Sequence, residues 1–128
     1  MGEGYLEVES TRKIIGIAFK VFNELGYGLK EKTYQHAIEA MFIELGIKYE
    51  KEKYGKILFH KRIIGKYFLD FLVADRIAVE LKVSNDVYQK DTNQLLNYIK
   101  SENLPLGLLL VFSKGGVKIK RLVNTISV

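Results

Sequence analysis

A chain of 128 residues, 48% of them hydrophobic, suits one domain with one packed core and excludes global disorder. It contains no cysteine, which removes disulfides, zinc–thiolate sites, iron–sulfur clusters and cysteine nucleophiles together. The formal net charge of +5 is unevenly placed: residues 48–66 hold Lys48, Lys51, Lys53, Lys56, Lys61, Arg62 and Lys66 against Glu50 and Glu52, an excess equal to that of the whole chain.

A localised basic surface attracts polyanions, nucleic acid first. The competing reading is a solvated hairpin whose lysines protect a sheet edge. No apolar stretch approaches the roughly 20 residues that span a bilayer. Met1 to Arg12 carries Glu3, Glu7 and Glu9 and lacks a basic-then-apolar signal pattern. The expectation is a cytoplasmic protein without a membrane, forming one domain over 1–128 with 1–9 as a flexible segment.

In chain order, Ile14, Ile17, Val21 and Leu25 recur at helical spacing, with Ala18 and Phe22 widening the stripe. This predicts a first helix from an N-cap at Ser10 to Leu25, stopped by Gly26-Tyr27-Gly28. A second helix, 30–45, presents Ala37, Ile38, Met41 and Leu45, and Gly46 ends it. Residues 47–83 read as strands, with a turn at Phe59-His60-Lys61-Arg62, a second strand over 63–73 and a third over 77–83. A third helix is expected over 88–100. Leu106 to Phe112 is almost purely apolar, the signature of a strand covered on both faces, and a last strand follows over 117–123. The order is helix, helix, three strands, helix, two strands: an α/β domain with a mixed central sheet.

The informative stretch runs from Asp70 to Lys82. A turn at Ala74-Asp75-Arg76 would set Val73 against Ile77 and bring Asp70 opposite Glu80. Because side chains alternate along a strand, Asp70, Glu80 and Lys82 would share one face. Leu69, Phe71, Val73, Val79, Leu81 and Val83 would share the other. Opposed carboxylates repel across a plain strand pair, and a divalent cation reverses that sign, since Mg²⁺ takes one or two carboxylates plus water and phosphate. Lys82 would then stand beside the ion and stabilise an anionic transition state. The competing reading is a Glu–Lys–Asp ion cluster on a wet sheet face. On the third helix, Gln94 and Tyr98 are four apart and face the same way. They would hold water, phosphate or the lysine, or merely flank an amphipathic helix.

These residues together resemble the GxxExxY family, a branch of the PD-(D/E)XK nuclease superfamily. The family motif stands as Gly28-Leu29-Lys30-Glu31-Lys32-Thr33-Tyr34, and the resemblance continues through Asp70-Phe71-Leu72-Val73, Val79-Glu80-Leu81-Lys82, Gln94-Leu95-Leu96-Asn97-Tyr98 and Leu106 to Phe112. It covers about residues 10–124, with Leu69 in place of the proline that names the superfamily. It implies a restriction-endonuclease-like core, with Asp70 and Glu80 as metal ligands and the Leu81 carbonyl as a third oxygen. Lys82 would be the catalytic lysine and Glu31 a helical addition to the metal shell. Gln94 and Tyr98 match a Q-x-x-x-Y element known from recombination-helicase nuclease domains. Gly28 is read as helix punctuation and Tyr34 as packing or hydrogen-bonding support. His36 and His60 receive no chemistry. Tyr5, Tyr27, Tyr49, Tyr54, Tyr67 and Tyr88 are read as core and boundary packing rather than base stacking.

The expectation is a Mg²⁺- or Mn²⁺-dependent nuclease that hydrolyses DNA by attack of metal-activated water, holding it through segment 48–66, with a homodimer left open. The alternative is a non-catalytic nucleic-acid-binding or protein-interaction module that keeps the fold.

Overall fold

The computed structural model describes residues 3–125, with side chains from Glu7 onward. Helices α1 (Glu3–Leu25) and α2 (Glu31–Leu45) precede strands β1 (Tyr49–Phe59), β2 (Arg62–Val73) and β3 (Ile77–Val83). Helix α3 (Gln89–Ser101) and strands β4 (Leu106–Ser113) and β5 (Gly116–Val123) follow. The element order is the expected one. The start of α1 is not: the helix begins at Glu3 rather than near Ser10, so 3–9, expected as a flexible segment, is helical. Arg76, in the β2–β3 turn, donates from Nε to Glu7 Oε1 at 2.9 Å. No local pattern encodes that tertiary anchor. Among the described residues no helix is long and apolar enough to cross a membrane.

The five strands lie in sequence order, β1-β2-β3-β4-β5. All neighbours are antiparallel except β3 and β4, which run parallel, with α3 making the crossover. The sheet is therefore mixed and flanked by helices, an α/β fold. Helices α1 and α2 cover one face, where Ile14, Ile17, Ala18, Val21, Tyr34, Ile38 and Phe42 pack on Phe71, Val73, Val79 and Leu81. Helix α3 covers the other, setting Leu95, Tyr98 and Ile99 on Leu69, Leu72, Ala78, Leu109 and Val111. Every residue of β4 is buried, as a strand covered on both faces must be. The helical stripes are shifted at their ends. Leu25 and Leu45 are exposed, and on α2 Tyr34, Gln35 and Phe42 are buried together with the expected Ile38.

Leu69 departs from the expected alternation. It belongs to the α3 side, whereas Phe71 and Val73 belong to the other. Leu69 and Phe71 are two positions apart, so a regular strand would have put them on one face. The break falls where Lys51↔Phe71 and Lys53↔Leu69 flank Glu52, whose φ of +55° is left-handed. Farther out the β1–β2 hairpin turns at His60 and Lys61, φ +49° and +65°, the paired left-handed residues of a tight hairpin.

Where the hairpin crosses α3, the fold requires a glycine. A Cβ on Gly55 would lie 2.5 Å from Cδ2 of the Tyr98 ring and 2.6 Å from its Cε2. The ring is fully buried and cannot swing aside. Gly55→Ala should destabilise the protein by about 1–3 kcal/mol through overpacking, read as a lowered midpoint in thermal or urea unfolding. An unchanged midpoint would show the hairpin to be loosely attached to α3.

Candidate active site

The loop between α1 and α2 is fastened from within the motif that follows it. Gly26 and Gly28 adopt φ of +74° and +106°, a region open to glycine at little cost. The Tyr34 hydroxyl donates to the Gly26 carbonyl and accepts the Leu29 N–H at 3.4 Å, while its ring stacks on Phe112 at 4.4 Å. Gly28, Glu31 and Tyr34 thus act together: one frees the turn, one is delivered to the start of α2, and one locks the loop. Tyr34 is a support, as expected. Glu31 points its carboxyl toward β3, where burial and the charge of Asp70 raise its pKa. Lys82 and the Val83 N–H act in the opposite direction.

Strands β2 and β3 pair only at Val73↔Ile77, Leu72↔Ala78 and Phe71↔Val79. Beyond Phe71 they fork, and the Asp70 carboxylate fills the gap. Its Oδ2 accepts the Leu81 N–H at 2.7 Å, and its Oδ1 accepts Gln35 Nε2 at 3.1 Å. The Asp70 N–H donates to Glu80 Oε1 at 3.1 Å. Asp70 therefore reaches toward α2, while Glu80 alternates with Val79 and Leu81 onto the α3 side. The two carboxyls meet in the fork rather than side by side on one face. Glu80 is only 7% exposed, and burial, then its contact with Asp70, holds its pKa far above the ordinary carboxylate range.

Lys82 follows Glu80 on the same side, half-buried, with Nζ 4.0 Å from Asp91 Oδ1 on the first turn of α3. Leu81 enters through its amide, which donates to Asp70. Among the described residues no hydrogen bond joins the Gln94 or Tyr98 side chain to Asp70, Glu80 or Lys82; both residues contact Tyr67 of the hairpin. Tyr98 is buried, its ring against Gly55 and edge-on to Tyr67 at 5.5 Å, and burial pushes its hydroxyl up to about 12. The Gln94 backbone carbonyl accepts the Tyr67 hydroxyl at 3.2 Å. Burial and the nearby Glu80 charge raise the Tyr67 pKa strongly, so Tyr67 connects the hairpin floor to the carboxylate fork.

Glu31, Gln35 and Asp70 line a cleft of about 470 Å³ with Lys32, Glu52 and Phe68. The donor set fits a hard divalent cation: Asp70 lines the open cleft, and the Glu80 carboxyl touches it from the buried side of the fork. Glu31 shares the cleft with Asp70, but among the described residues no three Asp, Glu or His side chains converge as a closed cage. Two residues escaped sequence reasoning. Gln35 is 4% exposed and orients Asp70. Its signal was its place one turn after Glu31, on the same helix face. Asp91 faces Lys82, and no spacing in the sequence linked them.

The basic segment is partly neutralised within the fold. Lys48 pairs with Asp75 at 2.6 Å, Lys51 with Glu39 at 3.1 Å and Lys53 with Glu50 at 3.4 Å, all exposed bridges of small energetic weight. Lys56, Lys61, Arg62 and Lys66 have no ion-pair partner among the described residues.

Among solved structures the fold resembles that of SSO0001, with a TM-score of 0.56 and 14% identity over 75% of this chain and 50% of that one. It also resembles an alkaline exonuclease from Laribacter hongkongensis, with a TM-score of 0.51 and 16% identity over 72% and 55%. This chain spans about half the length of each, and at such identities the likeness is one of fold. No curated protein matches the sequence. The model of the PD-(D/E)XK nuclease superfamily matches residues 8–122, a span that contains the Glu31 helix, the Asp70–Glu80 fork and Lys82. A forked strand pair where a half-buried Asp70 meets a buried Glu80, with a lysine following, lies within a sequence match that covers most of the chain: this chain belongs to the PD-(D/E)XK nuclease superfamily.

Proposed function

We propose that the protein is a divalent-metal-dependent phosphodiesterase acting on DNA, of the GxxExxY branch of its superfamily. The observation that carries the reading is the pair of carboxyl groups pressed together at the β2–β3 fork with Lys82 beside them. Holding a buried acid, Glu80, in contact with a second one, Asp70, is costly unless a cation offsets their charge. Asp70 and Glu80 would hold Mg²⁺ or Mn²⁺, with the Leu81 carbonyl as a further oxygen and Glu31 reaching it through water. When bound, the ion supplies charge compensation and an activated water. Gln35 and the Leu81 N–H fix the Asp70 carboxylate so that it need not reorganise. Lys82, steadied by Asp91, sets its charge beside the phosphate. A chain free of cysteine suits the reducing cytoplasm, the compartment we assign to it.

Calorimetry with Mn²⁺ tests the site directly. Wild type should bind one ion, and Asp70→Ala should lose that binding. Equal titrations for both proteins would remove the metal from this fork. The second reading is a non-catalytic nucleic-acid-binding or protein-interaction module, favoured by the lack, among the described residues, of three converging acidic or His side chains. It predicts no cleavage of DNA or RNA with either ion.

A further inference from the structure

Beyond Phe71 the β1–β2 hairpin leaves the main sheet and pairs only with itself. Its two faces are unlike. One rests on α3 through Gly55, Tyr67 and Leu69. The other is bare. Tyr54 is 40% exposed and Phe68 60% exposed, with their rings 5.9 Å apart, edge to face. Sequence reasoning took Tyr54 as packing; it stands in solvent. Beside these rings Lys56 lies directly opposite Lys66. Like charges in register are unfavourable across a strand pair, and neither lysine has an ion-pair partner among the described residues. The bare face leads straight into the cleft, because Phe68 lines it with Glu31 and Asp70.

Exposed rings beside two unneutralised cations suit a ligand that carries flat apolar faces at intervals along an anionic thread. Single-stranded nucleic acid is such a ligand. In a duplex, neighbouring bases cover those flat faces, and the rings could grip only its ends. A second copy of this chain fits worse. A symmetric contact on this face would bring the Lys56–Lys66 pair against its own image.

We propose that the bare face of the hairpin binds unpaired nucleotides, with bases stacked on Phe68 and Tyr54 and phosphates over Lys56 and Lys66. The face thereby selects single strands, flaps or frayed ends for the adjoining carboxylates. The delivery step rests on the nuclease reading; the binding step does not.

The test is fluorescence anisotropy with labelled oligothymidylate and a blunt duplex of equal length, in a metal chelator, so that no cleavage intervenes. Wild type should bind the single strand more tightly. Phe68→Ala and Tyr54→Ala should each weaken single-strand binding roughly 5- to 100-fold and leave duplex binding nearly unchanged. Doubling Lys56→Ala with Lys66→Ala should lower the salt slope by about 1.4. Both aromatic positions are exposed, so the variants should melt with wild type. A Phe68→Ala protein that binds oligothymidylate like wild type overturns the proposal, as does tighter binding of the blunt duplex. Conversion of a dimer to a monomer by either aromatic variant, with single-strand affinity unchanged, would assign the face to a second copy instead. Single-strand binding without cleavage in Mn²⁺ would sink the nuclease reading and leave this one standing. Cleavage without single-strand preference would do the reverse.

Discussion

Lys82→Ala should bind Mn²⁺ and DNA nearly as wild type does, yet cleave DNA roughly 10²- to 10³-fold more slowly, the usual loss for one electrostatic stabiliser of a transition state. The lysine is no metal ligand, so its removal leaves Asp70 and Glu80 in place. It contributes one phosphate contact among several, so ground-state affinity changes little. Charge on the phosphoryl oxygens grows on the way to the transition state, and the loss therefore appears in turnover. Excess Mn²⁺ should not rescue it. Single-turnover cleavage of linear DNA, with binding measured in parallel, separates the two effects. Equal cleavage by wild type and Lys82→Ala would show that the lysine only balances Asp91.

Glu80→Gln should abolish cleavage and at the same time make the metal-free protein more stable, by roughly 2 kcal/mol near pH 8. Burial and contact with Asp70 raise the Glu80 pKa in the folded state. For a carboxyl raised above its unfolded value, the favourable contribution is complete below the ordinary value of 4.5 and is lost as pH rises toward the folded pKa. Wild type in chelator should therefore lose stability across the neutral range, whereas glutamine has no charge to lose there. The gap between the two melting curves should close near pH 4. Saturating Mg²⁺ should reverse the order near pH 8, because wild type gains binding energy that the variant lacks. A Glu80→Gln protein that melts below wild type in chelator at pH 8 would mean that the carboxylate is compensated within the protein itself.

The sequence carried the element order because the apolar periods were clean in α1, β3 and β4. It also carried the meeting of Asp70 with Glu80, since the Ala74-Asp75-Arg76 turn left one register that buried Val73, Ile77 and Val79. What it could not carry was geometry made by exceptions. Leu69 changes face opposite the left-handed Glu52, and no residue type announces that switch. The fork beyond Phe71 ends the β2–β3 ladder, yet Asp70 looks in sequence like one more alternating position. Gln35 hides as a polar residue on a helix, although it is buried because Asp70 accepts its amide. Tyr98 was read toward the active face, but its spacing from Gln94 could not reveal that Gly55 would receive its ring. The helical 3–9 segment is tied at Glu7 to Arg76, 69 residues away.

The fork has a mechanical side. Phe68 and Asp70 are joined by a single intervening residue on β2, at the point where that strand exchanges β3 for solvent. A polymer lying along the outer hairpin therefore pulls on the same backbone that aims a carboxylate. The signal needs no chain of packed side chains to carry it, because it runs through covalent bonds. Flexing of the arm about residue 70 would change the spacing of the acids together with the packing of Tyr67 and Leu69 on α3, making the hairpin a lever whose fulcrum is the site itself.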